Sequence, residues 1–238
     1  MVVVAGDTTL ADALALARRT YGQVTTRHGA SGAPPRVRPP EAQSGGIPAR
    51  IEVRDAAVGQ ANWRRRYLAP TYGHGPAAPA LDVAAYVLGG DSSSRLHRVL
   101  VLDEGLALNA GVSYSGEHLD SGTLTVFATP ADGVSLEQLE NRIDALLAET
   151  IRGGLSEDDV ARSRLRLVDS TAYTLDSLFG PVRIVGSALT TGQSLMDVVA
   201  WPDRIASVTA DAASAALAAV LSSDRRVTGL LLPSETAP

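Results

Sequence analysis

A stretch near the start of the chain is too rich in glycine and proline to form a regular element. Residues 25–48 hold four glycines and five prolines in 24 positions. Proline removes a backbone donor and glycine adds conformational entropy, so a helix or a strand is disfavoured throughout this stretch. The sequence therefore predicts a linker over residues 25–48. It separates a short segment, residues 1–24, from one complete unit, residues 49–238.

The short segment has the pattern of a strand followed by a helix. Val2-Val3-Val4-Ala5 is a brief apolar run, and Asp7 is placed to cap a helix with apolar positions on one face, at Leu10, Ala13, Leu14 and Ala17. A capped helix and a last apolar strand also end the chain, over residues 209–232. We therefore predict that residues 1–24 are the tail of a preceding domain. An unpaired apolar edge favours association, so this tail is expected to dock as an appendage or to pair two copies of the chain as a homodimer.

The longer unit mixes both periodicities. Residues 51–54 and 62–69 have strand patterns, and residues 106–115 and 123–129 predict a long hairpin. Ser135 with Gln138 matches a capping box, and Thr209 is placed to cap an alanine-rich helix. The expected fold class is α+β, an antiparallel-rich mixed sheet with helices packed on one face and the hairpin supplying its central strands.

The stretch "LGGDSSSRLHRVLVLDEGLALNAGVSY", residues 88–114, fits two interpretations. Its glycine pair could belong to a phosphate-binding loop or to a corner between two helices. A phosphate loop follows a strand and carries Gly-Lys-Ser/Thr. Here a helical pattern precedes Gly89-Gly90, and the chain contains no lysine. The sequence favours a corner between two helices, the second running from Arg95 to Glu104 with Gly105 at its end.

Three local patterns resemble the C-terminal half-domain of the zinc metallopeptidases related to pitrilysin, insulin-degrading enzyme and mitochondrial processing peptidase. They are "VVVAGD" before an amphipathic helix, "GGDSSSRLHRVLVLDEGLALNAGVSY" and "DSGTLTVFATP". The resemblance implies a half-domain of the processing-peptidase type. It also implies a clamshell in which this half closes over a peptide substrate.

The zinc chemistry of that family is not apparent in this sequence. Those peptidases activate water on zinc held by His-x-x-Glu-His and a downstream glutamate. The four histidines, His28, His74, His97 and His118, never lie four residues apart, and the chain has no cysteine. We therefore predict no metal site, cofactor site or catalytic residue in this chain. The resemblance implies that zinc lies in an upstream half or in a partner chain.

The resemblance also implies a supporting role for one tyrosine. The C-terminal half of these peptidases typically contributes an arginine and a tyrosine that steady the scissile carbonyl. Tyr114 lies near the hairpin turn where such a tyrosine falls, but the loop 116–121 contains no arginine. Tyr114 is therefore a candidate substrate-binding residue, and an ordinary strand aromatic is the alternative.

Composition narrows the function further. The net charge of −5 argues against general nucleic-acid binding, and no apolar run reaches the ~18 residues of a membrane span. The basic run at residues 63–67 is expected on the solvated face of an edge strand. The leading hypothesis is a non-zinc half of a peptidase acting with a zinc-bearing half. The alternatives are an inactive structural or interaction subunit and a self-sufficient hydrolase.

Overall fold

A computed structural model describes residues 2–24, 37, 49–177 and 179–234. The predicted linker at 25–48, with His28, lies outside the described residues except for Val37. The strands are β1 Ala49–Asp55, β2 Asn62–Ala69, β3 Ala107–Ser115, β4 Gly122–Pro130 and β5 Arg226–Pro233. The helices are α1 Leu10–Thr20, α2 Ala77–Gly89, α3 Arg95–His97, α4 Leu136–Gly153, α5 Glu157–Leu175, α6 Gly180–Thr190, α7 Leu195–Val199, α8 Trp201–Ala206 and α9 Ala210–Leu221.

The strands form one mixed sheet in the order β1-β5-β2-β4-β3. Among the described strands, only β1 and β5 pair in parallel, and the other three pairings are antiparallel. The predicted antiparallel-rich mixed sheet is therefore confirmed. The expectation that the hairpin supplies the central strands is wrong, because β3 is an edge and β2 is central. The reason is that β5 pairs with β2 on the side away from the hairpin, and β1 then adds outside β5.

The alternation along β2 separates the two faces of the sheet. Trp63, Arg65 and Tyr67 are buried, whereas Arg64 and Arg66 are exposed. The prediction that this basic run lies on the solvated face of an edge strand is thus wrong in two respects. The strand is central, and its middle arginine points inward because successive side chains alternate between faces.

The helices of the longer unit cover the buried face of the sheet. The Ser135 hydroxyl accepts a hydrogen bond from the Gln138 amide at 3.1 Å, which is the N-cap half of the predicted capping box, and Thr209 caps α9 in the same way, as predicted. Completely buried apolar side chains from α2, α4 and α9 pack on Trp63 and on the inward residues of β4, among them Leu81, Leu139, Ile143, Leu217, Leu124 and Val126. The predicted fold class of helices packed on a sheet is confirmed.

The glycine pair forms the predicted corner. A Cβ on Gly89 would lie 2.2 Å from the Val112 amide nitrogen, and one on Gly90 would lie 2.7 Å from the Tyr86 ring. Only glycine therefore lets α2 end this close to β3. After the corner, α3 continues as a π-helical turn, Arg98–Asp103, and the chain leaves it through Gly105 at φ +60°.

The N-terminal segment differs in part from its prediction. Helix α1 forms, but Thr9 caps it by accepting from the Asp12 amide at 3.2 Å, in place of Asp7. No strand forms at residues 2–5, since none of the described strands pairs with them. Val3 instead lies beside Gly186 of α6, its Cγ2 3.9 Å from the position of an added Cβ. The assignment of residues 1–24 to a preceding domain stays a prediction.

Candidate functional site

A pocket of about 670 Å³ opens beside the turn of the β3–β4 hairpin. Its walls are largely apolar and come from α6 and α7, through Ile184, Val185, Ala188, Leu195, Val198 and Val199. The start of α2, the end of β3 and the first turn of α8 add polar groups. An apolar cavity with a few convergent polar groups is the usual form of a binding site.

Two side chains ten residues apart, Tyr72 and Asp82, and the distant Trp201 form a hydrogen-bonded chain in this pocket. The Tyr72 hydroxyl donates to the Asp82 carboxylate, and the Trp201 indole N–H donates to the Tyr72 oxygen at 2.7 Å. Burial raises the pKa of Asp82 to about 7, and the nearby charge of Glu117 adds to this while the hydrogen bond from Tyr72 opposes it. Burial, with the neighbouring Asp82, also holds the pKa of Tyr72 far above its usual value.

Tyr114 lines the same pocket, at the end of β3. Its hydroxyl donates to the carbonyl oxygen of Pro70 at 2.7 Å. Burial, and then the charge of Asp82, raises the pKa of Tyr114. The phenol has a single proton, so Tyr114 can accept a hydrogen bond from a ligand as it stands. It can donate one only after releasing Pro70.

The hairpin turn carries a serine–histidine pair. The Ser115 hydroxyl lies 3.0 Å from Nε2 of His118, and both residues are exposed. Glu117, which lies in the same turn, accepts a hydrogen bond from Ser187 of α6. This bond connects the turn to the pocket wall. Both side chains of the serine–histidine pair are exposed, so this pair is in contact with solvent.

The histidines in the described part of the chain lie on separate elements. His97 lies on α3, His118 on the hairpin turn and His74 in a 3₁₀ turn, Tyr72–His74. Within residues 2–24, 37, 49–177 and 179–234, no three histidine, aspartate or glutamate side chains come close enough together to hold a metal ion. The residues described thus offer hydrogen bonds and apolar surface to a ligand, and the expectation of zinc in another half stays a prediction.

The family model described as "Peptidase M16 inactive domain" matches residues 1–167. The chain belongs to this family. The resemblance inferred from the glycine-pair stretch is therefore confirmed, and the chain is similar to inactive domains of M16 zinc proteases. Comparison with curated proteins gave no match.

Solved structures of the same fold agree with the family assignment. A protease from Helicobacter pylori superposes with a TM-score of 0.80 at 16% identity, over 96% of this chain and 54% of that one. A peptidase M16 inactive domain from Pseudomonas fluorescens gives 0.77 at 17% identity, over 98% and 53%. An inactive peptidase domain from Bordetella parapertussis gives 0.68 at 21%, over 78% and 97%. The chain thus spans about half the length of the first two. Among the helices described, none is both long enough and apolar enough to cross a bilayer.

Tyr114 lines the pocket beside the hairpin turn, and its role in substrate binding stays a prediction. Sequence reasoning missed its polar neighbours. Asp82 gave a usable signal, because it is the one carboxylate in the apolar helix "AAPALDVAAYVLG". Tyr72 and Trp201 gave none, since 129 positions separate them in the sequence.

Proposed function

We propose that this M16 inactive domain is the non-catalytic C-terminal half of a zinc peptidase. It completes the chamber for peptide hydrolysis together with a zinc-bearing half, either upstream in the same precursor or in a separate chain. The observation that carries this proposal is the family match over residues 1–167. The chain's span of about half the Helicobacter and Pseudomonas proteins supports it.

The pocket beside the hairpin turn is the proposed contact with the peptide. Its apolar walls suit a hydrophobic side chain, and Glu117 and Asp82 offer acceptors to backbone amides. Tyr114 is the proposed substrate-binding residue. Because its hydroxyl is held by Pro70, we propose that the peptide carbonyl takes over this hydrogen bond when the chamber closes.

A cleavage assay on peptides tests the proposal. It compares this chain alone, the zinc-bearing half alone, and their mixture. We expect the single halves to be inactive and the mixture active, because a clamshell site is complete only when both halves enclose the peptide. A stable mixture that stays inactive on a broad peptide library would instead support the structural or interaction subunit. Turnover by this chain alone would support the self-sufficient hydrolase.

Substitution of Tyr114 by Phe tests its role separately. If Tyr114 donates to the scissile carbonyl, kcat and kcat/KM should fall together, by roughly 10²–10³ for one lost bond to a developing oxyanion. Tyr21→Phe is the matched control, since Tyr21 is 63% exposed and follows α1, outside the pocket. If the mixture is active and Tyr114→Phe leaves its rate unchanged, the proposed peptidase function stands and only the substrate-binding role of Tyr114 is rejected.

A further inference from the structure

A second pocket, of about 240 Å³, lies where α2, α3, α4 and α5 meet. Its lining is polar and includes five arginines against three carboxylates. The arginines are Arg95, Arg98, Arg142, Arg162 and Arg166, and the carboxylates are Asp91, Glu149 and Asp159. The whole chain carries a net charge of −5, so this pocket is locally opposite in sign to the molecule.

The acceptor capacity of Asp91 is already used. Its carboxylate accepts from the Ser93 amide at 2.8 Å, the Ser93 hydroxyl at 2.7 Å, the Tyr86 hydroxyl at 3.2 Å and Arg166. Partial burial raises its pKa, but the hydrogen bonds from Ser93 and Arg166 outweigh this and lower the pKa of Asp91 overall. Asp91 therefore stays charged, with Arg166 beside it.

The two other carboxylates are paired as well. Arg142 reaches Glu149 at 3.4 Å and also forms a fork on Glu104, with Nη2 at 2.7 Å and Nε at 2.9 Å. Arg162 pairs with Asp159 one turn before it on α5. Three of the five arginines are thus matched with acids.

Two arginines and one hydroxyl of the pocket have no partner in the described part of the chain. Arg95, which is half-buried, and Arg98 have no hydrogen-bond or ion-pair partner in the described part of the chain. Neither has the hydroxyl of Ser163, a residue only 7% exposed. These three groups line one cavity that holds more arginines than carboxylates, so together they offer donors suited to a bound anion.

We propose that this pocket binds a phosphate group, with Arg95 and Arg98 as the charged donors and Ser163 as a further donor. Arg95 and Arg98 have no acidic partner in the described part of the chain, and their planar forks suit the oxygens of phosphate. The glycine pair takes no part in this binding, because it serves the packing of α2 on β3. Arg95 and Arg98, which follow the glycine pair in the sequence, supply the charged donors of the proposed phosphate site. It is separate from the pocket at Tyr114 and does not depend on the proposed peptidase function.

Titration of the full chain with inorganic phosphate tests the proposal, at constant ionic strength and followed by calorimetry. We expect saturable binding by the wild type. Arg95→Gln combined with Arg98→Gln should raise the Kd by about tenfold or more, since charge-assisted hydrogen bonds are lost. The control pair is Arg152→Gln with Arg183→Gln. It changes the charge equally at two exposed arginines on α4 and α6, and it should leave the Kd unchanged.

Arg98→Gln alone covers the case in which the double variant fails to fold, because Arg98 is exposed. It should raise the Kd several-fold with an unchanged circular dichroism spectrum. Phenyl phosphate and acetate are the further probes. Binding of phenyl phosphate would point to a phosphomonoester as the source, and binding of inorganic phosphate alone to the free ion. No saturable binding by the wild type, an equal loss in the control pair, or acetate binding as tightly as phosphate would overturn the proposal.

Discussion

Gly89 lies where α2 meets β3, and the space for a side chain there is already filled by backbone. An added Cβ would lie 2.2 Å from the Val112 nitrogen and 2.6 Å from the Gly111 carbonyl carbon. We expect Gly89→Ala to lower the free energy of unfolding by about 1–3 kcal/mol or more, because helix and strand must move apart. Gly59→Ala is the control, since its Cβ would meet nothing within 4 Å. Urea denaturation measures both, and equal stabilities would contradict the close approach.

The buried Asp82 should make stability depend on pH. Its folded pKa of about 7 lies above the ordinary value of 3.8, so the folded state retains a proton that the unfolded state has released between these values. The free energy of unfolding should therefore fall as pH rises through this window, by up to about 1.4 kcal/mol per pH unit, and level off above it.

Asp82→Asn should flatten the fall in stability, and the exposed Asp132→Asn should retain it. Urea midpoints from pH 4.5 to 8 compare the three proteins. Parallel curves for wild type and Asp82→Asn would show that the carboxyl titrates normally.

Arg65 connects two elements, the central strand β2 and helix α4. Its guanidinium donates to Glu140 at 2.8 Å and to Asp144, while Nε donates to the Thr228 hydroxyl at 3.0 Å. We expect Glu140→Ala to destabilise by about 1–3 kcal/mol, because a hydrogen bond to a buried charge is lost. Glu52→Ala, which removes the exposed pair with Arg54, should change stability by less than about 0.5 kcal/mol. Thermal and urea unfolding both test this, and equal effects would contradict the importance of burial.

Elements with strong local patterns were predictable, and their arrangement was less so. The bounds of β2 agree with the alternating run at residues 62–69, and the helix caps at Ser135 and Thr209 agree with their side-chain chemistry. The order of the strands could not be predicted from local patterns, because pairing of β5 with β2 joins residues more than 150 positions apart. The hydrogen bond from Trp201 to Tyr72, which extends the pair Tyr72–Asp82, was missed for the same reason. Contacts between distant residues leave little trace in a local pattern.

The N-terminal segment is largely exposed. Helix α1 has no buried residue, and Leu10 is 86% exposed. Removal of residues 1–24 should therefore shift the urea midpoint only slightly. Removal of residues 226–238 is the contrasting variant and should abolish cooperative unfolding, because β5 lies between β1 and β2. A large loss of stability in the first variant would show that the segment belongs to the folded unit, against its proposed assignment to a preceding domain.

The position of β5 between β1 and β2 has a consequence for synthesis on the ribosome. The first strand of the unit is made about 170 residues before the strand that pairs with it. At about 5–20 residues per second, β1 waits roughly 10–30 s with both edges open, and β2 keeps one open edge after β4 has been made. During that interval the nascent chain exposes the strand "ARIEVRD", in which apolar and charged residues alternate, to chaperones and to other nascent chains. The order of translation thus leaves this domain vulnerable to misassembly until its last strand emerges.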